Sequence, residues 1–314
     1  MSDRERMRAV IARGFGGPEV LELVRVPIPD PGVGQVRIRV EAATVNPVDV
    51  ATRSGALAGA GLMLAREVTG MGWDVAGVVD ALGPGADSFT VGQRVIGLRD
   101  LLDVSLGAYA EYIVLDAGAV AAGPQGVSAV AAATLPLNGL TAAQSLDLLN
   151  PHPGDTLLVT GAAGAVGAFA VELGARRELR VIAQAGRGDE EFLRGLGALW
   201  FVPREEPDLA AAVRRIVPGG VDGALHTAGS APATLAAVRT RGAHVSVVGG
   251  APQIPLRGIR IHQEWISADG PALGELARLD LTLRVAETMP LEQAARAQEL
   301  VGKGGLRGRV VLVP

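Results

Sequence analysis

Thr156-Leu157-Leu158-Val159-Thr160-Gly161-Ala162-Ala163-Gly164-Ala165-Val166-Gly167 reads as an apolar run, a turn of small residues and the start of an Ala-rich helix. Residues 156–160 predict a buried strand and residues 165–175 a helix. In register with the strand–G-x-G-x-x-G–helix fingerprint, the three key positions are Ala162, Gly164 and Gly167. Small residues are needed here for two reasons. Gly164 lets the backbone approach a pyrophosphate, and Gly167 lets the helix pack closely on its strand. The free N–H groups and the positive end of the helix favour negative charge. Ala162, Ala163, Gly164, Ala165 and Val166 are thus the candidate pyrophosphate residues. A tight Gly-Ala turn with no ligand is the alternative reading. The strand before it, the helix after it and a second strand about 20 residues on favour the ligand.

Working outward, the same alternation continues. Strands are predicted over 180–184, 199–202, 223–226, 244–248 and near 260–266. Helices are predicted over 189–196, 207–216 and 231–239. Alternating strands and helices imply parallel crossovers and an α/β fold with a doubly wound parallel sheet. Ligands of such sheets bind at the carboxyl ends of the strands. This adds Thr227, Ala228 and Gly229 after the fourth strand, and Val248, Gly249 and Gly250 after the fifth. The second strand ends in Gln184-Ala185-Gly186-Arg187. No acid stands there for a ribose 2′-hydroxyl, whereas Arg187 can meet a 2′-phosphate through a charge-assisted bond. The cofactor expected is NADPH. A solvated loop arginine is the alternative for Arg187.

The first third is of another kind. Short strands are expected over 7–11, 21–27, 35–43, 75–81, 94–96 and 109–114, separated by Gly and Pro turns. Residues 35–43 alternate with period two, as a half-buried antiparallel strand does. These strands predict a small barrel-like β domain. The pattern changes near Pro124. Residues 139–149 have helical spacing, and the last segment holds a strand at 282–285, a helix at 291–301 and a strand at 309–313. The expected organisation is a β domain of residues 1–124 with 268–314 and a nucleotide-binding domain of residues 125–267, enclosing a cleft.

Composition narrows the function. Of 314 residues, 48% are hydrophobic and 20% charged, enough for a sizeable core and against disorder. The net charge of −4 and the lack of a basic run give no footprint for nucleic acid or an anionic membrane. With no cysteine, disulfides, thiolate catalysis and cysteine-ligated zinc are excluded. The charged start Met1-Ser2-Asp3-Arg4-Glu5-Arg6 is unlike a signal peptide, so a cytoplasmic location is expected.

Several further motifs recur together. Gly14-Phe15-Gly16-Gly17-Pro18-Glu19-Val20-Leu21 follows an apolar start. Val45-Asn46-Pro47-Val48-Asp49 precedes Arg53-Ser54-Gly55. Gly72-Trp73-Asp74-Val75-Ala76-Gly77, Gly107-Ala108-Tyr109-Ala110-Glu111-Tyr112 and Leu135-Pro136-Leu137-Asn138-Gly139-Leu140-Thr141 come later. With these the chain resembles the zinc-independent quinone oxidoreductase branch of the medium-chain dehydrogenase/reductase superfamily over nearly its whole length. The resemblance implies a GroES-like β-barrel domain plus a Rossmann domain, NADPH, and a homodimer formed by pairing the last Rossmann strands. It implies that Asn46 and Asp49 line the site near the nicotinamide, with Asn138 and Thr141 at a helix start beside it. Zinc-dependent relatives carry cysteine where Asn46 stands and histidine where Trp73 stands, so no metal is expected. Asp49 as a helix cap or as an ion-pair partner of Arg53 is an equal reading. Relatives place tyrosines where Ala51 and Leu57 stand, so the pocket is expected to have small aliphatic walls and no proton donor, with Tyr109 and Tyr112 packed in a strand.

The function expected is metal-free hydride transfer from NADPH to a quinone or an α,β-unsaturated carbonyl, with Asn46 and backbone N–H groups as candidates to stabilise the oxygen that gains charge, holding the carboxamide being the other role open to Asn46. An NADPH-binding structural or regulatory protein with little catalysis is one alternative. A dedicated biosynthetic enone reductase is another.

Overall fold

Apolar runs of the chain become strands, and its small-residue turns become their connections. The computed structural model describes residues 5–250 and 253–314, so residues 1–4 of the charged amino-terminal segment lie outside the described residues. In chain order the first elements are β1 (Arg6–Ala12), β2 (Leu21–Pro27), β3 (Gln35–Val45), α1 (Pro47–Ser54), α2 (Ala56–Gly59), β4 (Thr69–Gly70), β5 (Asp74–Leu82), β6 (Arg94–Leu98), β7 (Tyr112–Asp116) and β8 (Val120–Ala122). Then come α3 (Ala129–Ala132), α4 (Pro136–Leu149), β9 (Thr156–Thr160), α5 (Ala165–Arg176), β10 (Arg180–Ala185), α6 (Glu190–Gly195), β11 (Trp200–Pro203), α7 (Leu209–Ile216), β12 (Val221–His226), α8 (Ala231–Ala237), β13 (Val238–Ser246) and β14 (Arg260–Gln263). The chain closes with α9 (Gly270–Arg278), β15 (Val285–Pro290), α10 (Ala294–Lys303) and β16 (Arg309–Val313).

Two units result, Met1–Leu140 with Ser267–Pro314, and Thr141–Ile266. In the first, a seven-stranded sheet runs β15-β16-β3-β5-β6-β8 with β7 also paired to β3, beside a small sheet β2-β1-β4. The long strand β3 is its axis, antiparallel to β5, β7 and β16. Its alternate residues Val36, Ile38 and Val40 face a core that includes Val75, Val79, Val95, Ile113 and Leu312. The period-two reading of this strand is what places them there.

The second unit is a six-stranded parallel sheet in the order β11-β10-β9-β12-β13-β14. This is the Rossmann order, with the reversal beside β9. Leu157, Leu158 and Val159 are almost fully buried, as a parallel strand covered on both faces requires. The register sets Thr160 beside Gln184 on one side and beside His226 on the other. The carboxyl ends of β9, β10 and β12 therefore form one rank.

The structure moves several sequence-based boundaries. Residues 125–140 group with the β unit, where the sequence reading began the nucleotide domain at 125. The amide of Leu137 donates to Asp74 at the head of β5, 2.6 Å away, and this holds the start of α4 in the first unit. The strand expected at 109–114 starts only at Tyr112. The strand expected at 282–285 lies at Val285–Pro290. It is a sheet-edge strand in which Met289 alone is buried, so it has no alternation to read. Helix α9 was not foreseen, although Asp269 caps it through the amide of Ala272 at 2.9 Å and Pro271 opens its first turn. Among the described residues, no helix is long and apolar enough to cross a membrane.

Candidate active site

In the second unit the site starts from the turn after β9. Gly161 has φ of 65°, a left-handed conformation that a side chain disfavours. The position that needs glycine is thus one residue ahead of the fingerprint's first site, and Ala162 is tolerated there, fully buried. A Cβ on Gly167 would lie 2.4 Å from the Gly161 carbonyl oxygen and 2.8 Å from the Ala162 Cα. Close packing of α5 on the turn therefore requires glycine. Gly164 is the N-cap of α5, with no side-chain cap and no acid in the first turn. The first-turn amides, which have no partner within the helix, meet no acidic side chain there, and Gly164, Ala165 and Val166 are partly exposed. This cradle of small residues fits a pyrophosphate.

Other predicted residues join the same rank. The Ala162 amide donates to the Gln184 carbonyl at 3.0 Å. Thr227 Oγ1 donates to the Thr160 carbonyl at 2.6 Å, which ties the loop of Thr227, Ala228 and Gly229 to the turn. The Val247 amide donates to the His226 carbonyl at 3.1 Å, so Val248, Gly249 and Gly250 leave β13 alongside. Ala185 and Gly186 are buried at the end of β10. Arg187 points outward, with its side chain 77% exposed and Glu205 at 3.9 Å. Thr141 is buried at the beginning of this unit.

His226 and His244 lie on one face of this sheet with stacked rings 6.2 Å apart. His226 Nδ1 is 3.1 Å from Thr160 Oγ1 and 3.3 Å from Thr234 Oγ1. Both ring nitrogens of His244 are buried and have no hydrogen-bond partner among the described residues. Burial holds His244 down to about 4, with His226 adding to the effect. Nothing in the sequence pattern marked this pair.

In the first unit the predicted residues meet in a buried polar knot. Asn46 caps α1, and its backbone amide donates to Asp49 Oδ2 at 2.8 Å. Asn46 Nδ2 donates to Thr44 Oγ1 at 3.1 Å and to Asp74 Oδ2 at 2.5 Å. Its Oδ1 accepts from Asn138 Nδ2 at 3.3 Å. Arg309 donates to Asn138 Oδ1 through Nε at 3.0 Å and Nη2 at 2.5 Å. Asp74 also accepts from Thr44 Oγ1 and from the Leu137 amide. Asp49 accepts further from the Gly72 amide at 3.1 Å and from Tyr109 Oη at 2.9 Å.

Asn46, Asp49, Asp74 and Asn138 are all fully buried. Burial pushes Asp49 up to about 7, against the pull of the Asn46 amide, Tyr109 and the Gly72 amide. Burial likewise raises Asp74 to about 6, opposed by Thr44, Leu137, Asn46 and the charge of Arg309. It lowers Arg309 to about 10.

Three expectations change here. Both amide hydrogens of Asn46 are committed within the protein, leaving none for a substrate carbonyl. Arg53 does not pair with Asp49: its Nε donates to Gln298 Oε1 at 2.6 Å and its Nη1 to the Gly16 carbonyl at 2.8 Å. The helix-cap reading of Asp49 describes it instead. Tyr109 packs in the core as expected but lies ahead of β7 rather than in it, and its hydroxyl donates to Asp49. The sequence reading passed over Asp74 and Arg309 as functional positions. The signal was a charge at the head of an apolar strand, Asp74-Val75-Ala76 and Arg309-Val310-Val311-Leu312. Among the described residues, no group of three or more His, Asp or Glu side chains is disposed to hold a metal ion.

A Rossmann sheet with a small-residue turn after its first strand, carried on one chain with a largely antiparallel β unit, defines a two-domain class with a dinucleotide-binding fold. The alcohol dehydrogenase GroES-like domain matches residues 32–125. The chloroplastic quinone-oxidoreductase QR1 of Triphysaria versicolor is 32% identical over 236 residues, 72% of this chain and 69% of that protein. The chloroplastic quinone-oxidoreductase homolog of Spinacia oleracea is 34% identical over 212 residues, 65% of this chain; the match spans 63% of that relative's length, just under two thirds. Among solved structures, an NAD-dependent alcohol dehydrogenase is 32% identical with a TM-score of 0.86, covering 98% of this chain and 100% of that one. The mycobacterial Rv1454c complexed with NADPH is 29% identical with a TM-score of 0.82, covering 98% of this chain and 100% of that one. The chain belongs to the quinone-oxidoreductase-like branch of the medium-chain dehydrogenase/reductase superfamily.

Proposed function

We propose that this oxidoreductase uses NADPH to reduce a quinone or an α,β-unsaturated carbonyl, without a metal. The observation that carries the reading is the rank of strand ends, with the open start of α5 at its centre. Bound there, the cofactor supplies hydride. The chain's own part is positioning. The turn Ala162, Ala163, Gly164, Ala165 and Val166 would hold the pyrophosphate through backbone amides. Gln184, Ala185, Gly186 and Arg187 would meet the adenosine ribose, and Thr227–Gly229 and Val248–Gly250 would flank the remainder. Thr141 would flank the nicotinamide half, and Asn138, whose Nδ2 donates to Asn46 Oδ1 and the Thr134 carbonyl and whose Oδ1 accepts from Arg309, would act by fixing the start of α4.

Asn46 and Asp49 act in this reading as positioning residues. They hold Asn138 and the start of α1 in place through bonds that leave no polar atom exposed. Solvent water is then the source of the final proton. Asn46 and Trp73 supply no thiolate or imidazole at the positions where zinc-dependent relatives have them, which supports metal-free chemistry. The named quinone oxidoreductases among the relatives support a quinone as substrate. Pairing of the edge strand β14 with its copy in a homodimer is supported by exposed Trp265, Ile254 and Leu256 near that edge. Composition supports a cytoplasmic location.

The full burial of Asn46 and Asp49 favours a second reading, an NADPH-binding protein with little catalysis. A panel of quinones and enones decides between the two. Loss of reduced-nicotinamide absorbance with at least one acceptor is expected. Tight NADPH binding with no turnover on any acceptor would establish the second reading. Elemental analysis is expected to find less than stoichiometric zinc, and light scattering to find a dimer.

A further inference from the structure

Gly186 is in an ordinary extended conformation, with φ of −64° and ψ of 148°, so its backbone does not demand glycine. Two side-chain ends crowd it from outside. A Cβ at this position would lie 3.1 Å from Nη2 of Arg204 and 3.3 Å from Oδ2 of Asp189. The Arg204 guanidinium thus lies against the backbone that ends β10. It is held there at its root, because the Arg204 amide donates to the Ala185 carbonyl at 2.7 Å and β11 pairs with β10 up to Pro203.

Two cations therefore flank the end of β10, and they differ. Arg187 is 77% exposed, and its Nε is 3.9 Å from Glu205, whose carboxylate screens part of its charge. Arg204 is exposed as well, but no hydrogen bond or ion pair of its guanidinium is found among the described residues. It also stands on the same rank as the phosphate turn, since the neighbouring carbonyl of Gln184 accepts from the Ala162 amide. In Rossmann sheets the ribose next to the pyrophosphate extends towards the end of the second strand. A dianionic 2′-phosphate there meets an unneutralised guanidinium better than one whose charge Glu205 already partly screens.

We infer that Arg204 is the principal ligand of the cofactor's 2′-phosphate, that Gly186 is kept free of a side chain to seat its guanidinium, and that Arg187 is an outer, screened cation. This rests on the NADPH reading proposed above. Asp189, only 6% exposed at the start of α6, flanks Gly186 as well, and an acid in that place would favour a ribose hydroxyl instead. The two possibilities make opposite predictions.

The test uses calorimetric binding of 2′,5′-ADP, 5′-AMP, NADPH and NADH to the full chain. Wild type is expected to bind 2′,5′-ADP more tightly than 5′-AMP. Arg204→Ala is expected to weaken 2′,5′-ADP and NADPH on the order of 10- to 100-fold, the scale of a lost charged hydrogen bond, with the loss confined to the phosphate-bearing ligands. Arg204→Lys should recover part of it. Gly186→Val, which keeps both arginines, should reproduce the loss by displacing the guanidinium. Arg187→Ala should cost about threefold or less, as an exposed, screened pair implies. If Arg187→Ala removes the preference while Arg204→Ala and Gly186→Val keep it, the assignment to Arg204 is overturned and the NADPH reading stands. If wild type binds 5′-AMP as tightly as 2′,5′-ADP, the NADPH reading fails and the assignment with it.

Discussion

The two units organise their polar groups in opposite ways. Around the turn between β9 and α5 in the second unit, the polar groups are backbone amides set among small, partly exposed residues. In the first unit they are side chains, Asn46, Asp49, Asp74, Asn138 and Arg309, whose hydrogen bonds close on one another out of solvent. The first arrangement is local, since residues 160–167 build it. The second joins residues as far apart in sequence as Asn46 and Arg309. A local backbone site tolerates change at its rim and fails when its spacing is filled. A closed side-chain knot should fail when any central member is removed.

Asp74→Ala is the strongest way to break the contrast. It strands the Asn46 amide, the Thr44 hydroxyl and the Leu137 amide, and removes the negative charge that most favours the Arg309 cation. A loss of about 3–5 kcal/mol is expected in urea unfolding, the scale of breaking a buried charged pair. A loss below about 1 kcal/mol would mean that the knot is not what holds α4 to β5.

Acid should expose the second unit next. His244 titrates near 4 in the fold and near 6.5 unfolded. Its folded value is depressed, and for a base this keeps it neutral in the native state. The stability it protects is fully present above about 6.5 and is lost as pH falls towards 4, by roughly 2–3 kcal/mol. His244→Phe is expected to flatten that part of the profile. Asp49 runs the other way. Its value is raised to about 7, so its contribution is fully present below about 4 and is lost as pH rises through 7. The stability of wild type relative to Asp49→Asn should therefore decline between pH 4 and 7. Parallel slopes for His244 and Asp49 would remove the contrast.

At the turn, Gly167→Ala should cost about 1–3 kcal/mol by overpacking against the Gly161 carbonyl, and should weaken nucleotide binding further. Intact nucleotide affinity would show that α5 can shift without disturbing the cradle. The smallest effect is expected of Tyr109→Phe. It removes one neutral donor from Asp49, for about 1 kcal/mol, and raises the carboxyl further. A null result in thermal unfolding would assign Asp49 to its backbone amides alone.

Much of the second unit was legible in the chain. The β9 boundaries matched, because strand, turn and helix there each carry a local signal. Asp269 and Pro271 marked α9 just as plainly and were passed over. Strand β15 had nothing to read, since an edge strand with one buried side chain has no period. The roles given to Asn46 and Arg53 went astray for a different reason. Residue type states what a side chain can bond, and the fold states which of its bonds are already taken.

By itself, the sequence determined a parallel sheet with a small-residue turn between β9 and α5, a separate β unit and a chain without thiolates. Each follows from local periodicity, residue size or composition. Only the tertiary structure decided that Gly161 rather than Ala162 bears the positive φ, that Asn46 has no free donor, that His244 is buried unpartnered, and that Arg204 lies over Gly186. Those depend on which distant residues share a few ångströms of low-dielectric space, and no spacing along the chain encodes that directly.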